Sequence, residues 1–441
     1  MTKQAFSTAG GDPDTEHQQL TSVGNGSEDV ARQAKARPIP RISIQAFCEN
    51  AATAEALQNA TSDRRLSKSH VSVHMGGATA AVAHYHESPT PNLIIIETSL
   101  PRAQMLAELD RLAECCDPGT KVVVIGHTND VALYRELLKR GVSEYLMAPV
   151  EPLQLIESLS TLYNNPDTDP VGNVIAFIGA KGGVGSSTVC HNTAWAMSEM
   201  LRTNVVVADL DLAFGTTGLD FNQDPIQGIA DALQNPERLD EMLLDRLLTK
   251  CSERLSIFAA PVVLDRDYEI SADACDIVLD IVRQNVPFVA VDLPHTWTPW
   301  VKRVLLQADE VVITAVPDLA NLRNAKNLID LLKQSRANDG PPRLVINMAK
   351  TPKRPEISAK EFSAALDLAP AQIIEFDSET FGLAANNGQM IEEFAAKSKS
   401  AQQFRELAML LAHRRDHKDD KKKPSALAPL APLLKKLKLQ R

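Results

Sequence analysis

Three clusters in this 441-residue chain carry the residue types needed to hold a polyphosphate and a divalent cation. The first is Lys181-Gly182-Gly183-Val184-Gly185-Ser186-Ser187. Glycines let backbone N–H groups approach an anion without Cβ clashes. The hydroxyl of Ser187, at the first turn of a following helix, can ligate Mg²⁺. The second cluster is Asp209-Leu210-Asp211 and the third is Asp292-Leu293-Pro294, each closing an apolar run. Carboxylates at the carboxyl ends of parallel strands stand where α/β sheets bind ligands. Asp292 would hold Mg²⁺ through water, because that ion keeps part of its hydration shell.

The elements around these clusters read clearly. Val174–Ile178 is apolar and β-branched, a buried strand, and the pattern through Trp195, Met197 and Leu201 is helical. Strand, glycine loop, helix is the setting a phosphate-binding loop requires, with the helix adding free N–H groups and its positive dipole end. Further strands are expected at 205–208, 255–260, 288–291, 311–316 and 344–347, the last being the final core strand. Residues 228–248 read as an amphipathic helical subregion by their leucine spacing. Before the glycine loop, strands at 42–47, 71–74, 93–96, 122–125 and 144–147 alternate with helical stretches. The expected fold is therefore α/β: two doubly wound parallel-sheet domains, the first of flavodoxin type.

Composition sets the limits. Hydrophobic residues make up 44% and charged residues 23%, ordinary for a globular protein, and the length calls for two or three units. The net charge of −10 argues against a general nucleic-acid-binding surface, and no nucleic acid partner is expected. Six scattered cysteines without metal spacing suggest a reducing cytoplasm. No signal segment or membrane span is visible in the sequence. The expected organisation is a disordered segment at 1–40, a first domain at 41–163, a linker at 164–170, a second domain at 171–411 and a basic tail at 412–441. In that tail Leu427, Leu430, Leu433, Leu434 and Leu437 recur at helical spacing beside Lys435, Lys436, Lys438 and Arg441, a pattern suited to an anionic membrane surface, the alternative being a solvated basic tail or one that docks on a protein partner.

The glycine loop, with lysine at its front, resembles the deviant Walker A motif of the MinD/ParA family of dimeric ATPases. The resemblance implies that Lys181 reaches a partner's nucleotide across an ATP-bridged homodimer. It implies that Gly182, Gly183, Val184, Gly185, Ser186, Ser187 and Thr188 cradle the phosphates, with Mg²⁺ at Ser187, Asp209 and Asp292. Asp211 orients the attacking water and Asn347 meets adenine. The family's second lysine is replaced by Ser186, which removes a charge-assisted phosphate contact and points to slow hydrolysis, a weak ATPase. His295 reads as a bystander.

The first domain resembles a response-regulator receiver whose phosphoryl site has been dismantled: Glu97, Gly126 and Ala148 stand at three of its key positions. Glu97 reads as a solvated carboxylate at a strand end, the alternative being a mimic of a permanent charge. The domain order, with the "GIADAL" and "FAAP" blocks, is similar to the CpaE/TadZ-type pilus-assembly ATPases. That implies a switch positioning the tight-adherence pilus machinery, with pilus-assembly partners, in the cytoplasm, at a cell pole or peripherally on the inner membrane. The alternatives are a nucleotide-binding scaffold without hydrolysis and a DNA-partitioning ATPase.

Overall fold

The computed structural model describes residues 38–40, 42–117, 119–163, 172–261 and 268–413. The expected linker, nearly all of the N-terminal segment and the leucine–lysine tail lie outside them. The chain divides into two compact units, residues 1–168 with the turn 338–340, and the remainder.

The first unit contains β1 (Ser43–Cys48), β2 (His70–Met75), β3 (Leu93–Thr98), β4 (Lys121–Gly126) and β5 (Glu144–Met147). They form one parallel sheet in the order β2-β1-β3-β4-β5, the flavodoxin-type doubly wound arrangement. All six residues of β3 are buried, because helices cover both faces of a parallel sheet. Leu93 and Ile95 pack in one core with Leu57 and Leu155, while Ile94 and Ile96 pack in the other with Met105 and Leu109. Each such side chain contributes about 1.5–3 kcal/mol on full burial.

Glu97 corrects the sequence reading. It is fully buried rather than solvated. Its carboxylate accepts from the Glu49 N–H (2.8 Å), the Asn50 N–H (2.9 Å), Asn50 Nδ2 (2.9 Å) and Thr53 Oγ1 (2.7 Å). Burial alone would raise its pKa, but these donors bring it below the usual carboxylate value. Glu49 returns the favour, accepting from the N–H and hydroxyl of Ser99, just past β3. The two acidic residues lace the loops after β1 and β3 together.

The second unit holds β6 (Asn173–Gly179), β7 (Val205–Asp209), β8 (Thr249–Lys250), β9 (Leu255–Phe258), β10 (Phe288–Asp292), β11 (Glu310–Ala315), β12 (Arg343–Ala349) and β13 (Pro370–Glu375). Their order is β13-β12-β11-β6-β10-β7-β9-β8, parallel except for the short edge strand β8. β13 extends the sheet past β12, the expected last strand. The expected helical subregion is three short pieces: a helix at Ile229–Gln234, a 3₁₀ turn at Pro236–Arg238 and a helix at Glu241–Leu247. Pro236 lacks the N–H that a continuous helix would need, and Asp240 recaps the chain by accepting from the Leu243 N–H. Among the described residues no helix is long and apolar enough to cross a membrane.

Candidate nucleotide-binding site

β6 lies between β10 and β11, and the chain leaves it toward β7 on one side and β11 later on the other. This is a topological switch point, where a doubly wound sheet opens a crevice at its strand carboxyl ends. Register puts Asp292 directly beside Asp209, and opposite Phe177 of β6. The glycine loop and both carboxylate clusters therefore share one edge.

The loop is braced from outside. Three of its carbonyls accept hydrogen bonds from side chains of three other elements: Gly179 from His295 Nδ1 (3.0 Å), Ala180 from Asn324 Nδ2 (2.9 Å) and Val184 from Asn347 Nδ2 (2.8 Å). The Ala180 N–H donates to the Thr314 carbonyl of β11. Fixing the loop's course in advance removes an ordering cost from ligand binding. Gly185 is required twice over. Its φ of +82° is left-handed, and a Cβ there would stand 2.6 Å from Asn347 Nδ2. From Gly185 the chain enters the helix Ser186–Leu201.

Lys181, Gly182 and Gly183 are exposed at the rim, Val184 is buried beneath them, and Ser186, Ser187 and Thr188 are half-buried. Burial opposes ionisation of nearby Asp318, yet donors from Asn321 and the charge of Lys181 hold its pKa low. The Ser186 hydroxyl, at the position of the family's second lysine, is buried and has no partner. The Ser187 hydroxyl bonds to Asp292.

Asp209 is fully buried and accepts from Thr217 Oγ1 (2.6 Å), the Thr217 N–H (3.2 Å) and the Asp211 N–H (3.1 Å), and burial nonetheless raises its pKa. Asp211 is half-buried and accepts from the Phe214 N–H (3.1 Å). Asp292 is buried with its Oδ1 unpartnered. Burial pushes its pKa up to about 7, with the neighbouring negative charge of Asp209 adding to the rise and His191 opposing it.

His295, expected to be a bystander, braces the loop. A second histidine was not singled out by the sequence. His191 is fully buried in the second turn of the loop's helix. Burial pulls its pKa down, but the hydrogen bond to Asp220 and the charges of Asp292, Asp220 and Asp209 carry it above its ordinary value. Its one sequence signal is its place four residues after Ser187, hence on the same helix face. Asn347 is where expected, at the end region of β12, but here its amide group braces Val184 and its Oδ1 accepts from the Met348 N–H.

These donors suit Mg²⁺. Hydroxyl and carboxylate oxygens are the hard ligands it takes, and the unpartnered Asp292 oxygen has capacity to spare. Among the described residues no three His, Cys, Asp or Glu side chains form a self-sufficient metal cage. Phosphate oxygens and water would complete the shell, as is usual for Mg²⁺.

No family model matches the chain. Over 188 residues it is 24% identical to the septum site-determining protein MinD of Bacillus subtilis (strain 168), covering 40% of this chain. It spans 65% of that relative, just under two thirds of its length. A ParA family ATPase from Chlorobium tepidum TLS matches in structure with a TM-score of 0.50 and 25% identity, covering 54% of this chain and 98% of that one. The pilus assembly protein CpaE from Caulobacter crescentus CB15 is 51% identical over 98% of its crystallised chain and 29% of this one, with a TM-score of 0.29. The weight of this last match lies in its sequence identity. That identity, joined to the ParA-type fold around the glycine loop, shows that the chain belongs to the CpaE-type pilus-assembly proteins of the MinD/ParA ATPase family.

Proposed function

We propose that the chain binds Mg-ATP at Lys181–Thr188 and acts as a slowly hydrolysing dimerisation switch that positions a pilus-assembly machine. The observation that carries this is the braced glycine loop, with Lys181 free at its rim, facing a buried carboxylate that has an unpartnered oxygen. Ser187, Asp209 and Asp292 hold the ion, Asp211 orients water, and Lys181 reaches the nucleotide of a second copy. Asn347 borders the base while keeping its hold on Val184. Slow turnover follows from Ser186, whose hydroxyl cannot supply the charge of the missing ammonium. The first unit serves as a receiver-like partner module without phosphoryl transfer, its central carboxylate consumed by internal donors. Ser186 also favours a second reading, a scaffold that binds nucleotide without hydrolysing it; measured ATP turnover separates the two.

The test is light scattering and nucleotide affinity with and without Mg-ATP. Wild type should dimerise on addition of Mg-ATP, and Lys181→Ala should bind nucleotide but dimerise weakly. The same oligomeric state in both proteins, with or without nucleotide, overturns the switch.

A further inference from the structure

We propose that His191 is a positioning residue: it ties the segment Thr216–Asp220 to the Asp209–Asp292 carboxylate pair, so that this segment responds when the cation site is filled. The inference rests on the reading that Mg-nucleotide binds here.

The ring is held on both sides. Nδ1 lies 2.8 Å from Asp220 Oδ2, and Nε2 lies 3.0 Å from Thr217 Oγ1 and 3.7 Å from Asp292 Oδ2. Thr217 Oγ1 is itself 2.6 Å from Asp209 Oδ2. A hydroxyl has one proton, and the short contact to Asp209 takes it, so Thr217 accepts from the ring. The Asp220 carboxylate accepts on the other side. The Thr216 hydroxyl also donates to Asp220 (3.2 Å), and Phe221 packs against the ring with centroids 5.5 Å apart. A single side chain of the loop's helix thus reaches both ends of the short helix Thr217–Asp220.

Two features turn this network into a linkage. The oxygen that holds Thr217 belongs to Asp209, and Asp292 neighbours the ring, so a cation drawing on Asp209 competes with the segment for that carboxylate. The segment also carries surface: Phe214 just before it and Leu219 within it are 75% and 74% exposed, large apolar side chains open to solvent. A shift at the carboxylates is thereby delivered to a segment that bears exposed apolar side chains. The next residue, Asn192, makes a separate anchor, its Oδ1 accepting from the Ile391 N–H at 2.7 Å.

The experiment is hydrogen exchange by mass spectrometry on the full chain, followed in peptides spanning 212–223, with and without Mg²⁺ plus a non-hydrolysable ATP analogue. Affinity for a fluorescent ATP analogue is read separately. In wild type the ligand should change exchange in these peptides. In His191→Asn, exchange there should be about 10-fold faster without ligand, the scale of one hydrogen bond to a charged group, and the ligand response should vanish. Nucleotide affinity should change much less. Asp220→Ala breaks the ring's other contact, should reproduce the pattern, and carries the test if His191→Asn does not fold. His191→Gln, which keeps N–H donors on a comparable reach, should restore part of the response. Unchanged exchange in 212–223, acceleration spread over the whole second unit, or a ligand response that survives in the variants overturns the linkage. If wild type binds no nucleotide, the functional reading falls, and the ligand-free comparison still decides whether His191 holds the segment.

Discussion

Glu97 and Asp292 occupy equivalent places in the two units. Each is the acidic residue at the carboxyl end of an interior parallel strand, and each is almost entirely buried. Their hydrogen bonding is opposite. Four donors from the loop and helix after β1 converge on Glu97, and its pKa is lowered despite burial. Asp292 has an oxygen with no partner, a second carboxylate beside it, and a pKa raised to about 7. A buried carboxylate whose acceptors are filled by its own chain acts as a structural staple. One left short of donors is poised for a ligand that brings positive charge. The first unit has closed its pocket with its own amides, and the second has kept its pocket open.

The largest effect expected from this contrast is on stability. Glu97→Ala strands buried donors after β1 and should cost about 4 kcal/mol, several groups each losing part of the ~1–3 kcal/mol typical of an unsatisfied partner. Urea denaturation of the full chain, followed through the first unit, measures it. A loss below about 1 kcal/mol would mean that Glu97 is no staple.

Asp292→Asn should reverse the pattern. Removing a starved charge should leave stability within about 1 kcal/mol of wild type or raise it, as is common where function strains a site. Affinity for Mg-nucleotide should drop about 10–100-fold, while binding measured without Mg²⁺ changes little. Isothermal titration with and without chelator distinguishes these; a purely destabilised variant that keeps its Mg²⁺ dependence contradicts the assignment.

Ser186→Lys sharpens the same comparison by adding positive charge on the open side. Nucleotide affinity should rise about 10-fold, at the lower end of what a charge-assisted hydrogen bond supplies. The buried, unpartnered Ser186 hydroxyl gives up no hydrogen bond in the exchange. No gain in affinity would show that the loop does not present position 186 to phosphate.

The smallest effect is in pH dependence. The folded-state pKa of Glu97 lies below its ordinary value of 4.5. The stability it contributes is therefore complete above that ordinary value and is lost as pH falls through the lower folded-state pKa. The stability gap between wild type and Glu97→Gln should shrink as pH falls below that ordinary value. A gap that closes near neutrality would mean the carboxylate is not held ionised by its donors.

Much of this protein is decided locally and is legible in the chain. Short β-branched apolar runs such as Val174–Ile178 and Leu93–Ile96 read as buried strands and are strands, and the glycines of 182–185 supply the left-handed turn before a helix. Asp209 and Asp292 fall at strand ends in the sequence and at the sheet's carboxyl edge in space. The tertiary structure alone decided what each polar group meets. The donors on Glu97 come from residues 44 to 48 positions away, which is why a fully buried staple read as a solvated strand end. The brace from His295 to Gly179 spans 116 positions and that from Asn347 to Val184 spans 163. His191 shows nothing in its local pattern beyond a helical face, because its partners Thr217, Asp220 and Asp292 are brought to it by strand order. Backbone preference and hydrophobic period are short-range properties of a sequence. Whether a buried polar atom is satisfied depends on which distant segments the sheet places beside it.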